Sequence, residues 1–257
     1  MQLTQTGLPV LANEHYQCRL ARCSREVIQA QCLRYEVFNL ELNEGLASSH
    51  ANFRDQDLYD TVCDHMLLIE RQTERVVGTY RLQSGDTAEE GYGYYSEQAF
   101  DFAPYESIRP ELLELGRACL HPDHRTYGCL TLLWRGILWL ARKRGLRYLI
   151  GCSSLHTTDI QVGHATYQAL TQSHLVTLPL RTQPKFEMQL PVLDWETPSH
   201  IRPKLPKLLR CYLSLGAKVC GRPALDEAFG TIDFLTLLDL KNLPERSTQR
   251  LFRERVG

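Results

Sequence analysis

Residues Glu111–Arg147 read ELLELGRACLHPDHRTYGCLTLLWRGILWLARKRGLR, and their order decides the fold. Leu112, Leu113 and Leu115 open an apolar run that ends by Pro122, which has no N–H for a strand ladder. The turn Arg125-Thr-Tyr-Gly128-Cys-Leu130 follows. From there Leu130, Leu133, Trp134, Ile137, Leu138 and Ala141 recur at the spacing of one buried helical face. Arg142, Lys143 and Arg144 occupy the last turn, where cations suit the helix dipole, and Gly145 stands as the C-terminal cap. The segment therefore reads strand, turn, long helix, stop. A helix N-terminus behind a turn that carries glycine presents free backbone N–H groups, and these favour an anion.

The rest of the chain sets limits on what such a turn serves. The net charge is −1 over 257 residues, so no whole-protein field draws the chain to nucleic acid or to a membrane. Any electrostatic docking must come from local patches. Nine cysteines are scattered with no Cys-x-x-Cys pair, which reads as free thiols in a reducing compartment. His121 and His124 have no third ligand nearby, so the expected metal content is none. No run approaches the roughly 18 apolar residues of a spanning helix, and no signal pattern opens the chain. The expected location is the cytoplasm, with peripheral contact to the inner membrane face.

Read in order, residues 1–15 form a loose lead and Tyr16–Ala21 a strand. Ser24 caps a helix to about Leu42, with Val27, Ala30, Leu33, Val37 and Leu40 on one face. Residues 43–63 are a polar, acidic loop. A hairpin pairs Cys63–Glu70 with Arg75–Leu82. Ser96–Phe102 is a short helix, Arg147–Cys152 a strand, Ile160–Thr171 a helix and 176–203 a Pro-rich connector. Pro206–Leu215 is a helix closed by Gly216, then Ala217–Cys220 and Thr231–Leu240 are strands before a charged tail. No boundary divides residues 1–257, which are expected to form one domain.

Several blocks in this order carry a resemblance. They are Arg34-Tyr-Glu-Val-Phe38, Asp55-Gln-Asp57-Leu-Tyr-Asp60, Val76-Val-Gly-Thr-Tyr-Arg81-Leu82 and Glu114-Leu-Gly-Arg117. Arg125-x-x-Gly128-x-Leu130 is similar to the Arg/Gln-x-x-Gly-x-Gly/Ala signature of GNAT acyltransferases, with Leu130 where that family has a small residue. The four blocks together look like those of acyl-homoserine-lactone synthases. Ornithine lipid biosynthesis acyltransferases, hemolysin-like relatives within GNAT, resemble the chain further. The added matches are His121-Pro-Asp, Leu132-Leu-Trp-Arg-Gly-Ile137, Leu215-Gly-Ala-Lys-Val-Cys-Gly221 and Phe229-Gly-Thr-Ile-Asp-Phe234. The resemblance implies an α/β fold with a mixed central sheet and helices on both faces. It implies transfer of a (3-hydroxy)fatty acyl group from acyl carrier protein to the α-amine of L-ornithine. The donor then rides on the carrier's phosphopantetheine and no cofactor is bound. A different amino acid as acceptor, or a homoserine-lactone-type signal synthesis, is the competing reading.

Acyl transfer from a thioester needs a neutral amine held close to the carbonyl and donors for the developing oxyanion. Backbone amides around Leu115–Arg117 are expected beside the thioester, because the family's fourth strand splays there. Glu114 is the candidate base; its alternative is a strand carboxylate paired with Arg81 or Arg117. Strict alternation sets Glu114 and Arg117 on opposite faces unless a bulge lies near Gly116. Tyr167 is either the acid for the departing thiolate or a packing residue. Asp57 and Asp60 supply negative charge for the substrate's ammonium groups, and Phe38 walls the site. Arg34 and Arg81 either hold a substrate carboxylate or fasten the acidic loop. Arg125, Gly128 and Leu130 take the donor phosphate. Arg135, Arg142, Lys143, Arg144 and Arg147 form a candidate docking patch for acidic carrier protein. Arg202-Pro-Lys-Leu-Pro-Lys-Leu-Leu-Arg210 interleaves bases and leucines, as a membrane-surface segment does.

Overall fold

A computed structural model describes residues 11–192 and 204–245. The lead 1–10, connector residues 193–203 with Arg202, and the tail 246–257 lie outside the described residues.

Strands β1 (Leu11–Ala12) and β2 (Tyr16–Leu20) precede helix α1 (Ser24–Tyr35). Cys23, not Ser24, is the residue before its first turn, and no side chain caps it. The chain continues as a π-helical turn over Glu36–Glu41, closed by Leu42 N–H to the Val37 carbonyl at 3.0 Å. That wider turn inserts a residue and rotates the positions after it about the helix axis. Ala30, Leu33 and Val37 are therefore buried as the spacing predicts, whereas Leu40 is turned out to 60% exposure.

Strands β3 (Asp64–Glu70) and β4 (Val76–Ser84) form the expected hairpin. Helix α2 (Gly85–Glu90) follows, where the Gly- and Tyr-rich composition carries no helical signal. The expected helix at Ser96–Phe102 is instead two 3₁₀ segments, Tyr95–Gln98 and Ala103–Glu111. Then come β5 (Leu112–Leu120), α3 (Tyr127–Lys143) and β6 (Tyr148–Leu155). Helices α4 (Ile160–Thr171) and α5 (Lys207–Ser214) lead to β7 (Lys218–Val219), β8 (Ala224–Asp226) and β9 (Thr231–Asp239). The described strands join one sheet in the order β1-β2-β3-β4-β5-β6-β9-β7, with β8 also on β9. Only β5 and β6 run parallel, because α3 carries the chain back between them.

Helix α3 lays Leu133, Trp134, Ile137, Leu138 and Ala141 into the core beside Leu113, Leu115 and Leu149. Each such side chain contributes about 1.5–3 kcal/mol, so burial of this face, more than local propensity, holds the helix. On the opposite face, Tyr94, Phe100, Phe102 and Tyr105 pack with Leu112, Ile150 and Leu235, while α1 covers Leu67, Val76 and Cys119. The outcome is a mixed sheet with helical segments on both faces, as expected.

Candidate functional site

The β5–β6 ladder holds for three residue pairs and ends at Glu114 opposite Ile150. Just beyond, Gly151 passes so close to β5 that an added Cβ would lie 2.2 Å from the Leu115 carbonyl oxygen. Only glycine fits there. The β4–β5 register then shifts: Thr79 faces Cys119 but Arg81 faces Gly116, so β5 carries one extra residue. Arg117 absorbs it with φ at +47°, a left-handed conformation that costs about 1–3 kcal/mol. This is the bulge that puts Glu114 and Arg117 on one face. Next to it lies a narrow cleft lined by Leu115, Trp134, Gly151, Cys152, Tyr212 and Thr236.

Three arginines and three aspartates lock the acidic loop onto the sheet. Arg34 is completely buried and donates from Nε to Asp55 Oδ2 at 2.7 Å and from both Nη atoms to Asp60 at 3.0 and 2.6 Å. Arg81 Nη1 donates to Asp57 Oδ1 at 2.5 Å and to Asp60 Oδ1 at 3.1 Å. Arg117 reaches Asp55 and Asp57, each at 3.2 Å, and lies over the rings of Tyr95 and Phe229 at 4.5 and 4.8 Å. Phe229 also touches Phe38, with ring centroids 5.9 Å apart. Burial pushes the Asp60 carboxyl upward, but Arg34 and Arg81 outweigh it and hold the group well below the usual carboxylate range. Nε, Nη1 and Nη2 of Arg34 are thus all directed at the acidic loop. Asp57 and Asp60 face cations of the protein itself. Two buried donors of the network have no hydrogen-bond acceptor among the described residues: Nη2 of Arg81 and Nε of Arg117, which meets Asp55 as an ion pair only.

Glu114 pairs with neither Arg81 nor Arg117 by a direct bond. Its Oε2 and Oε1 accept the backbone N–H groups of Tyr95 and Ser96, both at 2.8 Å. It thus caps the 3₁₀ turn that follows α2. Burial raises its pKa, more than these donors and Arg81 lower it.

At the other end of β5, Thr126 caps α3 by accepting from Cys129 N–H at 3.2 Å. Gly128 leaves room: an added Cβ would meet only Thr126 Oγ1, at 3.8 Å. Arg125 is not idle but forms a bidentate pair with Glu41, 2.5 Å on each arm. Leu130 packs partly against the core. The cationic cluster Arg142–Arg144 lies at the far end of α3, about 25 Å away for a 17-residue helix. Arg144 there pairs with Asp64 at 2.6 Å, and Arg147 pairs with Asp239.

Tyr167 packs against the cluster of Leu155, Leu170, Ile232 and Phe234. The tyrosine among the cleft-lining residues is Tyr212, whose hydroxyl is 2.8 Å from that of Tyr80. Leu205, Leu208 and Leu209 pack inward, so the described part of the basic, leucine-bearing segment offers those leucines to the protein. No helix among the described residues is long and apolar enough to cross a membrane. One buried carboxylate went unmarked by the sequence reading. Asp233 on β9 sits opposite Ser154 of β6 and accepts from Thr231 Oγ1 at 3.0 Å. It stands in the Phe229–Phe234 block, and a lone acid within an apolar strand was the signal available.

Known proteins resemble the chain both in sequence and in fold. The family described as Acetyltransferase (GNAT) domain matches residues 33–135. The L-ornithine N(alpha)-acyltransferase of Rhodobacter capsulatus is 32% identical over 250 residues, covering 94% of this chain and 96% of that one. Its counterpart from Agrobacterium fabrum is 33% identical over 243 residues, covering 89% and 82%. Among solved structures, the AHL synthase LasI has a TM-score of 0.53 at 12% identity, over 93% of this chain and 96% of its own. FeeM, an N-acyl amino acid synthase from uncultured soil microbes, has a TM-score of 0.53 at 12% identity, over 88% and 92%. At such identity the likeness speaks for the fold, and the fold is of the GNAT acyltransferase type.

Proposed function

Because the chain belongs to the L-ornithine N(alpha)-acyltransferase family, we propose that it is an acyltransferase moving a fatty acyl group to the α-amine of L-ornithine. We further propose acyl carrier protein as the donor. The observation that carries the chemistry is the end of the β5–β6 ladder at Glu114, with an apolar cleft beside it and carboxylates on the other face. A thioester laid in that cleft places its carbonyl against the backbone at Gly116 and Arg117. Glu114 accepts from the Tyr95 and Ser96 N–H groups and from the Ser96 hydroxyl, which leaves about one of its roughly four lone-pair sites for an incoming proton. Its raised pKa suits a base for an amine that is mostly protonated in solution. Glu114 takes one proton of the α-ammonium, and the lone pair so freed attacks the carbonyl carbon. The C–N bond forms and an oxyanion develops. The oxyanion then collapses, the C–S bond breaks, and the departing pantetheine sulfur takes up the second nitrogen proton and leaves as thiol. The unpartnered Nη2 of Arg81 is the donor for the substrate's α-carboxylate.

The test is direct. Purified protein, acyl-loaded carrier protein and L-ornithine should give N-acylornithine by mass spectrometry, with free carrier thiol released in equal amount. Glycine, glutamine and S-adenosylmethionine serve as competing acceptors, and a homoserine lactone product would replace this reading.

In the same reading the donor phosphate meets the open N-terminal turn of α3, so the carrier docks at that end of the helix. Arg125→Ala is then expected to raise the apparent KM for acyl carrier protein roughly 10–100-fold, the scale of a lost charge-assisted hydrogen bond. Arg142, Lys143 and Arg144 changed together to Glu should move it far less, because the helix holds them too far away. The reverse order of effects would put the docking surface back on that basic cluster.

A further inference from the structure

Asp55, Asp57 and Asp60 each form ion pairs with arginines of the network; Asp233, 7% exposed, forms none among the described residues. Arg117 faces it, but the ion pairs of that guanidinium run to Asp55 and Asp57. The bonds Asp233 does accept come from neutral hydroxyls, those of Thr231 and Ser154. An anion taken from water without a counter-ion destabilises a fold, so such a group points to a ligand that supplies the charge.

Its placement fits one ligand. Alternation along β9 puts Leu235 and Leu237 in the aromatic layer that also holds Ile150, and Asp233 continues that side. Glu114 faces the same layer, through Tyr95 and Ser96. Between the two carboxylates stands Cys152, which lines the cleft and sends its thiol to Ser96 Oγ at 3.4 Å. Glu114 lies opposite Ile150 and Asp233 opposite Ser154. Those register points are about 13 Å apart along the strands, and β6 between β5 and β9 adds about 9–10 Å across the sheet. Both carboxylates lean over β6 to within electrostatic reach of the Cys152 thiol between them, a gap suited to a molecule with an amine at each end of a three-methylene chain. Cys152 and Ser154 are both half-buried, so a substrate can reach the acid along β6.

Resting on the acyl-transfer reading above, we propose that Asp233 is the counter-ion for the side-chain ammonium of the acceptor. It thereby selects a dibasic amino acid over a neutral one of the same length. Burial, with Asp226 adding to it, pushes the Asp233 carboxyl up to about 6. Arg117 from β5 pulls the other way; Glu114, Cys152 and Tyr95 are the remaining titratable groups on the packed elements.

The experiment compares L-ornithine with L-norvaline, which keeps the carbon chain and lacks the second amine. Whole wild-type protein and Asp233→Asn are assayed with acyl carrier protein as donor. In the variant, kcat/KM for ornithine should fall roughly 10–100-fold relative to norvaline, while its melting temperature at pH 8 stays equal or rises. In wild type alone, the preference for ornithine should decline as pH falls through about 6, a reading that needs no variant. A variant that keeps the wild-type preference, or a wild-type preference flat from pH 5 to 8, overturns the assignment. Equal loss of kcat on both acceptors with recovery at high pH would make Asp233 the base instead. Wild type that acylates norvaline but not ornithine overturns the acceptor assignment together with this inference, and wild type that acylates neither overturns the acyl-transfer reading itself.

Discussion

Glu114→Gln is expected to lose on the order of 10²–10⁴-fold in kcat and also to melt below wild type. The two losses have separate causes. As base, Glu114 takes the proton of the α-ammonium, which an amide cannot do. As cap, it supplies two oxygens to two backbone donors, the N–H groups of Tyr95 and Ser96. Glutamine has one oxygen, so its NH₂ must face one of these donors. A buried N–H left without an acceptor costs about 1–3 kcal/mol. In a chain of this size that is a drop of roughly 2–12 °C. Sequence alone makes the Gln variant look isosteric and clean, and the structure shows why it is not. Raising the pH separates the roles: deprotonating the amine in solution should restore part of kcat and none of the melting temperature. A Gln variant with a lower melting temperature but full kcat at neutral pH leaves Glu114 as a cap only. The proton acceptor must then be sought elsewhere.

How far this site could be read from sequence depends on how local each signal is. The β5–α3–β6 unit was legible because its apolar spacing, terminal basic residues and Gly145 all act within a few residues of one another. The bulge at Gly116–Arg117 was legible as a condition, since Glu114 and Arg117 could share a face no other way. Leu40 was misplaced because nothing in Glu36–Glu41 distinguishes a π-helical turn from an α-helical one until the packing of Phe38 on Phe229 is known. The partners of Arg34, Arg81 and Arg117 lie 21 to 62 positions away in sequence, so their roles needed the fold. Tyr167 and Tyr212 show the same limit. Both are helical tyrosines, and only the sheet decides which of them lines the cleft. Asp233 was hidden for a related reason: its meaning lies in the cation it lacks, and a missing contact has no sequence pattern.

Arg34→Met is expected to be the most destabilising single change, by about 3–5 kcal/mol at neutral pH. Methionine fills much of the space but leaves Asp55 and Asp60 buried beside fewer cations. The sign of the pH dependence checks the cause. In wild type the Asp60 pKa is held below its unfolded value of about 3.9. Its contribution is therefore fully present above about pH 4 and is lost as pH falls toward the folded value. Without Arg34, burial outweighs the remaining attraction from Arg81, and the Asp60 pKa rises above 3.9. The folded variant then binds protons more readily than the unfolded chain, so its stability increases as pH falls from 7 toward 5. Asp233 imposes that same slope on both proteins, because its carboxyl is pushed up to about 6 in the wild type too, so it cancels in the difference. Urea unfolding of both proteins at several pH values measures that difference. It should be largest near pH 7 and shrink toward pH 4. A destabilisation constant across that range would trace the effect to lost packing, and would remove the ion-pair network as what holds the acidic loop on the sheet.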